Sequence, residues 1–86
     1  MANNTLHLII KDRDKGKIFD EEIASLSAIN DTGKFDILPL HSHLISLIHN
    51  EIKITRTDNR EEKMIIQSGV MKVIDNTVSI YLGIGK

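Results

Sequence analysis

Histidine is the side chain best suited to proton or metal chemistry near neutral pH, and this chain has four, of which His41, His43 and His49 lie close together. If that stretch is extended, His41 and His43 project from one face with His49 following, which is a conceivable start for a zinc or nickel site. Such a site also needs a third ligand and partners behind each imidazole, and spacing supplies neither, so solvated or interface histidines are the favoured reading. Ser42 sits between two histidines, but neighbours on a strand point to opposite faces, which removes a serine nucleophile and its base from each other's reach. The pair Glu61-Glu62 falls in a polar turn and reads as solvation. Gly83-x-Gly85 has no following helix with which to cradle a phosphate.

Composition narrows the function classes further. Eighty-six residues make one domain, and a chain of that size buries only roughly 60 to 65% of its unfolded surface, which leaves little room for a deep catalytic cavity. There is no cysteine, which excludes disulfides, zinc–thiolate sites and thiol redox chemistry. Eleven basic against twelve acidic residues give a net charge of -1, so no strong field favours nucleic acid or an anionic membrane. Aromatic residues at 3% offer no platform for stacking bases. Met1 to Thr5 lacks a basic leader, and no apolar run approaches the ~18 residues of a membrane span, so a soluble, non-exported protein is expected.

The elements that must position these residues are read as extended. Isoleucine, valine and threonine suit a pleated, half-buried surface. Leu6, Leu8 and Ile10 alternate along a first strand, with His7 directed to solvent or an edge. Lys11 to Gly16 is a charged turn, and Ile18-Phe19 a short strand with Phe19 in the core. Glu22 to Ile29 fits helical and extended spacing alike, and is assigned to one strand because a helix that short is marginal. Gly33 suits the positive φ of a turn after Asn30-Asp31, Phe35 and Ile37 share one side of the next strand, and Pro39 ends it and forces a corner.

From Leu40 to Asn50 the spacing of Leu44, Ile45, Leu47 and Ile48 leaves one or two helical turns open beside a short strand or irregular segment. Glu51 to Thr57 alternates as a one-sided strand, and Thr57 to Glu62 forms a hairpin turn before Met64-Ile65-Ile66. Gly69 interrupts a long strand from Lys63 to Ile74, the mark of a bulge, a bend or close backbone approach. Asp75-Asn76 tolerate positive φ and give another tight hairpin into a final strand ending near Leu82. With no βαβ alternation, roughly eight to ten short strands predict an all-β, antiparallel β-sandwich.

The order Gly33, Phe35, Ile37-Leu38-Pro39, His41 and an aliphatic run resembles the epsilon subunit of rotary F-type ATP synthases, in its N-terminal β-sandwich domain. Leu6 to Ile10, Gly16 to Phe19, Glu22 to Ile29 and Gln67-Ser68-Gly69 follow in that family's order and spacing. The resemblance implies a non-catalytic rotor subunit that couples the gamma subunit to the membrane c ring in proton-driven ATP synthesis. Such a protein acts in the cytoplasm on the inner face of the cell membrane, with no cofactor, no catalytic residue, no nucleic-acid partner and no membrane insertion of its own.

Carried over by position, the turn of Asp31, Gly33 and Lys34 matches the loop that meets the c ring, and His41 and Ile45 match positions facing gamma. Lys34 stands where many relatives carry an acid, which reverses the charge at the ring contact and calls for a compensating acid on the partner. Asp36, Leu40 and His43 also depart from the usual small residue, glycine and proline, and Gly69-Val70 replaces a common glycine pair. The runner-up function is a free-standing β-sandwich adaptor or metal-binding protein, since fold alone does not separate the two. The 86 residues are expected to form the sandwich without the family's C-terminal helical hairpin, the part that binds ATP in some relatives. Calorimetric titration with MgATP should therefore give no micromolar binding; heat saturating in that range would contradict this reading.

Overall fold

Alternation in the sequence becomes strand along most of the chain. The computed structural model describes residues 5–40 and 43–83. Among them the strands are β1 (Leu6–Asp12), β2 (Gly16–Ile23), β3 (Ser25–Asn30), β4 (Gly33–Ile37), β5 (Leu44–Thr55), β6 (Glu61–Ile74) and β7 (Thr77–Leu82), in the sheet order β2-β1-β7-β6-β5-β3-β4. All pairings are antiparallel except that of β1 with β7, which is parallel.

The all-β architecture matches the expectation, with seven strands among the described residues instead of eight to ten. Two of the expected short strands are parts of β5. Leu44 to Asn50 is extended and runs without interruption into Glu51–Thr55. Helical turns are ruled out there by the burial pattern, since Ile48 is buried while Ile45 and Leu47 are exposed. A helix would have grouped Leu44, Leu47 and Ile48 on one face.

The single strand expected from Glu22 to Ile29 is instead two strands with a bend at Ala24. Ile23 and Leu26 are both fully buried although three positions apart, and an unbroken strand would have turned one of them outward. The bend resolves this and also moves the chain across the molecule. β2 pairs with β1, whereas β3 pairs with β5, and the Ala24 N–H donates to the Thr55 carbonyl at 2.8 Å.

One sheet can bury a face against itself only by folding over, and β5 and β6 carry that fold. His49 pairs with Ser68 but Asn50 pairs with Ile66, which leaves Gln67 as an extra residue on β6. Inward-facing residues on β6 accordingly change from even positions, Met64 and Ile66, to odd ones, Met71 and Val73. A bulge sharpens local twist and bends the strand. The first half of β6 therefore pairs with the end of β5 beside β3 and β4, and its second half pairs with β7 beside β1 and β2. The resulting body measures 43 × 28 × 22 Å between Cα extremes, and its shortest axis suits two sheets about 10 Å apart.

The core is aliphatic: Leu6, Leu8 and Ile10 from β1 meet Ile48, Ile52 and Ile54 from β5 and Val78 and Ile80 from β7, with Phe19 packed at its margin. Among the described residues no polar side chain is buried. Asp75 and Asn76 adopt φ of 50° and 63°, the mirror-type turn expected between β6 and β7. The Asn76 Oδ1 also accepts the Leu40 N–H at 2.6 Å, pinning the corner that follows Pro39.

Gly69 lies where backbones approach, as the sequence suggested. A Cβ there would come within 2.9 Å of both the Tyr81 carbonyl oxygen and Leu82 Cδ2. Gly69→Ala is therefore expected to lower unfolding free energy by about 1 to 3 kcal/mol, an overpacking cost. It should appear as a lower urea midpoint at unchanged slope, and an unchanged midpoint would show that β7 yields freely.

Candidate protein interface

Strand alternation sends every second residue outward, and on most of this surface those residues are charged. Single apolar residues such as Ile18, Leu40 and Ile65 are also exposed, but on the outer face of β5, β6 and β7 several adjoin. Ile45 is 70% and Leu47 68% exposed. Register places Leu47 beside Val70, Val70 beside Tyr81, and Tyr81 beside Lys11, while the next row runs Ile45, Lys72, Ser79, Ile9. Cross-strand neighbours share a face. The two rows thus form a largely apolar band, with Lys11 at one end and Lys72 and Ser79 within its second row, carried on central strands rather than on loops.

Ile45, anticipated as a partner contact, lies in this band. Leu47, Val70 and Tyr81, its neighbours in the band, were not among the anticipated residues. Their signal was present as alternation from Ile45 to Leu47, but the competing helical spacing across Leu44 to Ile48 concealed it.

The anticipated turn is built as expected. Gly33 adopts φ 122° and opens β4; an added Cβ would meet nothing within 4 Å, so the backbone conformation and not crowding calls for glycine there. Asn30 Oδ1 accepts from the Thr32 N–H at 2.9 Å and from its hydroxyl at 2.7 Å. Asn30 Nδ2 in turn donates to Ser46 Oγ at 3.3 Å, and Asp31 Oδ1 lies 3.4 Å from His49 Nε2. These contacts set the turn against the same strand that carries Ile45. Lys34 is exposed beside an open groove of about 140 Å³ that Lys53, Lys63 and Glu51 also line. His41 lies outside the described residues, as does Ser42.

Two charge networks fasten β2, an edge of the sheet. On the outer face His7 Nδ1 is 2.7 Å from Glu22 Oε2 and His7 Nε2 is 2.5 Å from Asp20 Oδ1. The carboxylates of Glu22 and then Asp20 raise the pKa of His7 above its ordinary value. Asp20 is held low by Lys17 and by His7, and Glu22 by the Thr5 hydroxyl and by His7. On the other side Arg56 pairs with Glu21 and Glu62 and sits 5.4 Å from the Phe19 ring centroid. His43 lies 3.3 Å from Asp75. Among the described residues no group of three His, Asp or Glu side chains is placed to hold a metal ion, and no helix is long and apolar enough to cross a membrane.

The model of the ATP synthase delta/epsilon chain β-sandwich domain matches residues 5–82. This chain belongs to that family. An ATP synthase epsilon chain from Pelotomaculum thermopropionicum is 30% identical over 64 residues, covering 74% of this chain and 48% of the relative. One from a Sulfurovum species is 36% identical over 59 residues, covering 67% and 46%. The chain thus spans about half the length of the curated epsilon chains it matches. Its fold recurs in the cryo-EM structure of the Euglena gracilis mitochondrial ATP synthase OSCP/F1/c-ring, with a TM-score of 0.85 at 16% identity, covering 93% of this chain and 51% of that one. It recurs also in the central stalk and c-ring of the Tetrahymena thermophila enzyme, with a TM-score of 0.73 at 13% identity, covering 90% and 62%.

An exposed side chain retained for a partner contributes little to the isolated fold. Ile45→Thr, which preserves β-branching, should leave the stability of this epsilon-family domain within about 1 kcal/mol of the parent. A larger loss in chemical denaturation would mark Ile45 as part of the packing.

Proposed function

We propose that this domain is a non-catalytic part of an ATP synthase rotor, bound to a gamma subunit through the outer face of β5, β6 and β7 and set against a c ring through the turn of Asp31, Gly33 and Lys34. The observation that carries the reading is the exposed Ile45–Leu47 band on a rigid sheet in a chain of this family. Epsilon chains among its relatives and F1/c-ring assemblies among its structural neighbours support the same direction.

The role asks for stiffness more than for chemistry. Coupling rotation to proton-driven ATP synthesis requires a body that passes torque without deforming, and an aliphatic sandwich in which no polar side chain is buried among the described residues is suited to that. Burying Ile45 and Leu47 against a partner would contribute about 1.5 to 3 kcal/mol each, before the cost of association. Lys34 would direct the turn towards an acidic ring loop. The domain would then work on the cytoplasmic side, at the inner face of the membrane, without entering it.

Pull-down with a gamma subunit tests this. Ile45→Asp should weaken capture by about 2 to 5 kcal/mol, because a charge would be left in a desolvated contact. Undiminished binding by the folded variant would place the gamma contact elsewhere.

A further inference from the structure

The His7 network has a feature that the rotor reading does not use. A neutral imidazole has one N–H and one lone pair, so it can donate to only one carboxylate at a time. His7 has a carboxylate oxygen at hydrogen-bond distance from each ring nitrogen, Glu22 at 2.7 Å and Asp20 at 2.5 Å. Both contacts are attractive together only when the ring is protonated.

Among the described residues, Lys17 is the one other charged group in contact with either carboxylate of this network. β1 lies between β2 and β7. From β2 come Asp20 and Glu22, with Lys17 Nζ behind Asp20 at 2.8 Å. The Thr5 hydroxyl donates to the far oxygen of Glu22 at 2.5 Å. From β7 the neighbour of His7 is the uncharged Thr77. The β6–β7 turn offers the Asn76 carbonyl, which accepts the His7 backbone N–H at 2.8 Å, and carries Asp75, whose carboxylate is engaged by His43.

We propose that His7, Asp20 and Glu22 form a proton-gated latch on edge strand β2, closed while the imidazole is charged and open once it is neutral. Opening leaves one of the two carboxylates facing a lone pair. The strand then keeps one His7 hydrogen bond, the Thr5–Glu22 hydrogen bond, its backbone ladder to β1, which is irregular between Ile10 and Lys11, and the Arg56 contacts on its other side.

The signs define a window. His7 has its pKa raised in the fold, so its contribution is complete below the unfolded histidine value and is lost as pH rises through the folded value. Asp20 and Glu22 have theirs lowered, so their contribution is present above the ordinary carboxylate range and is lost as pH falls through their folded values. The latch is therefore closed from mildly acidic pH up to the titration of His7, and opens on both sides.

The test uses the 86-residue chain without any partner, so its outcome is independent of gamma binding. Imidazole ¹⁵N shifts followed with pH should show both His7 nitrogens protonated below a midpoint higher than that of a free histidine. Amide exchange at residues 18–22, corrected for intrinsic rates, should lose protection above the same midpoint. Asp20→Asn should lower the midpoint, and His7→Gln, checked for folding by circular dichroism, should abolish the pH dependence of protection. A His7 midpoint at or below the free value, protection that does not change with pH, or pH dependence that survives in His7→Gln would each overturn the latch.

Discussion

The constraint on which the rest of the structure depends is the exchange of inside for outside along β6. A strand with strict alternation has one inward face, yet β6 must contribute to two layers whose interiors meet it differently. The surplus Gln67 opposite the junction of His49 and Asn50 makes that change in one step. Asn50, with φ 75°, absorbs the matching distortion on β5. Without the extra residue, register would carry Met71 and Val73 to solvent and bring Val70 and Lys72 inward, and the aliphatic interior could not close.

Much of this was legible before any coordinates. The strands with clean alternation, the Asp75-Asn76 hairpin, the corner at Pro39 and the close approach at Gly69 follow from local stereochemistry that tertiary context had no reason to override. The difficulties arose where buried residues fell three apart. Ile23 and Leu26 produced that spacing through a bend at Ala24, and the Leu44 to Ile48 run concealed a period of two beneath a chance period of three and four. Periodicity cannot tell a broken strand from a short helix, and pairing partners decide it. The parallel neighbour relation of β1 and β7 was invisible for a similar reason, since it joins segments from opposite ends of the chain.

The candidate interface was legible only in part. Ile45 was reached through family resemblance, and the turn through its glycine and its Asn-Asp pair. Leu47, Val70 and Tyr81 join Ile45 only once register is known, because a patch on a sheet is assembled across strands and not along the sequence. The His7 network was equally hidden. Asp20 and Glu22 come together only through the pairing of β2 with β1, which sets both beside one imidazole.

The parallel contact between the first and last strands has a consequence for how the molecule comes into being. Because β7 sits between β1 and β6, the opening hairpin of β1 and β2 has nothing to join until β7 is in place. Loop closure over nearly the whole chain must precede that docking, which makes for high contact order and slow assembly. During synthesis the hydrophobic side of β1 would stay uncovered while most of the polypeptide emerges, an interval in which its strand edges invite wrong pairing or the attention of chaperones.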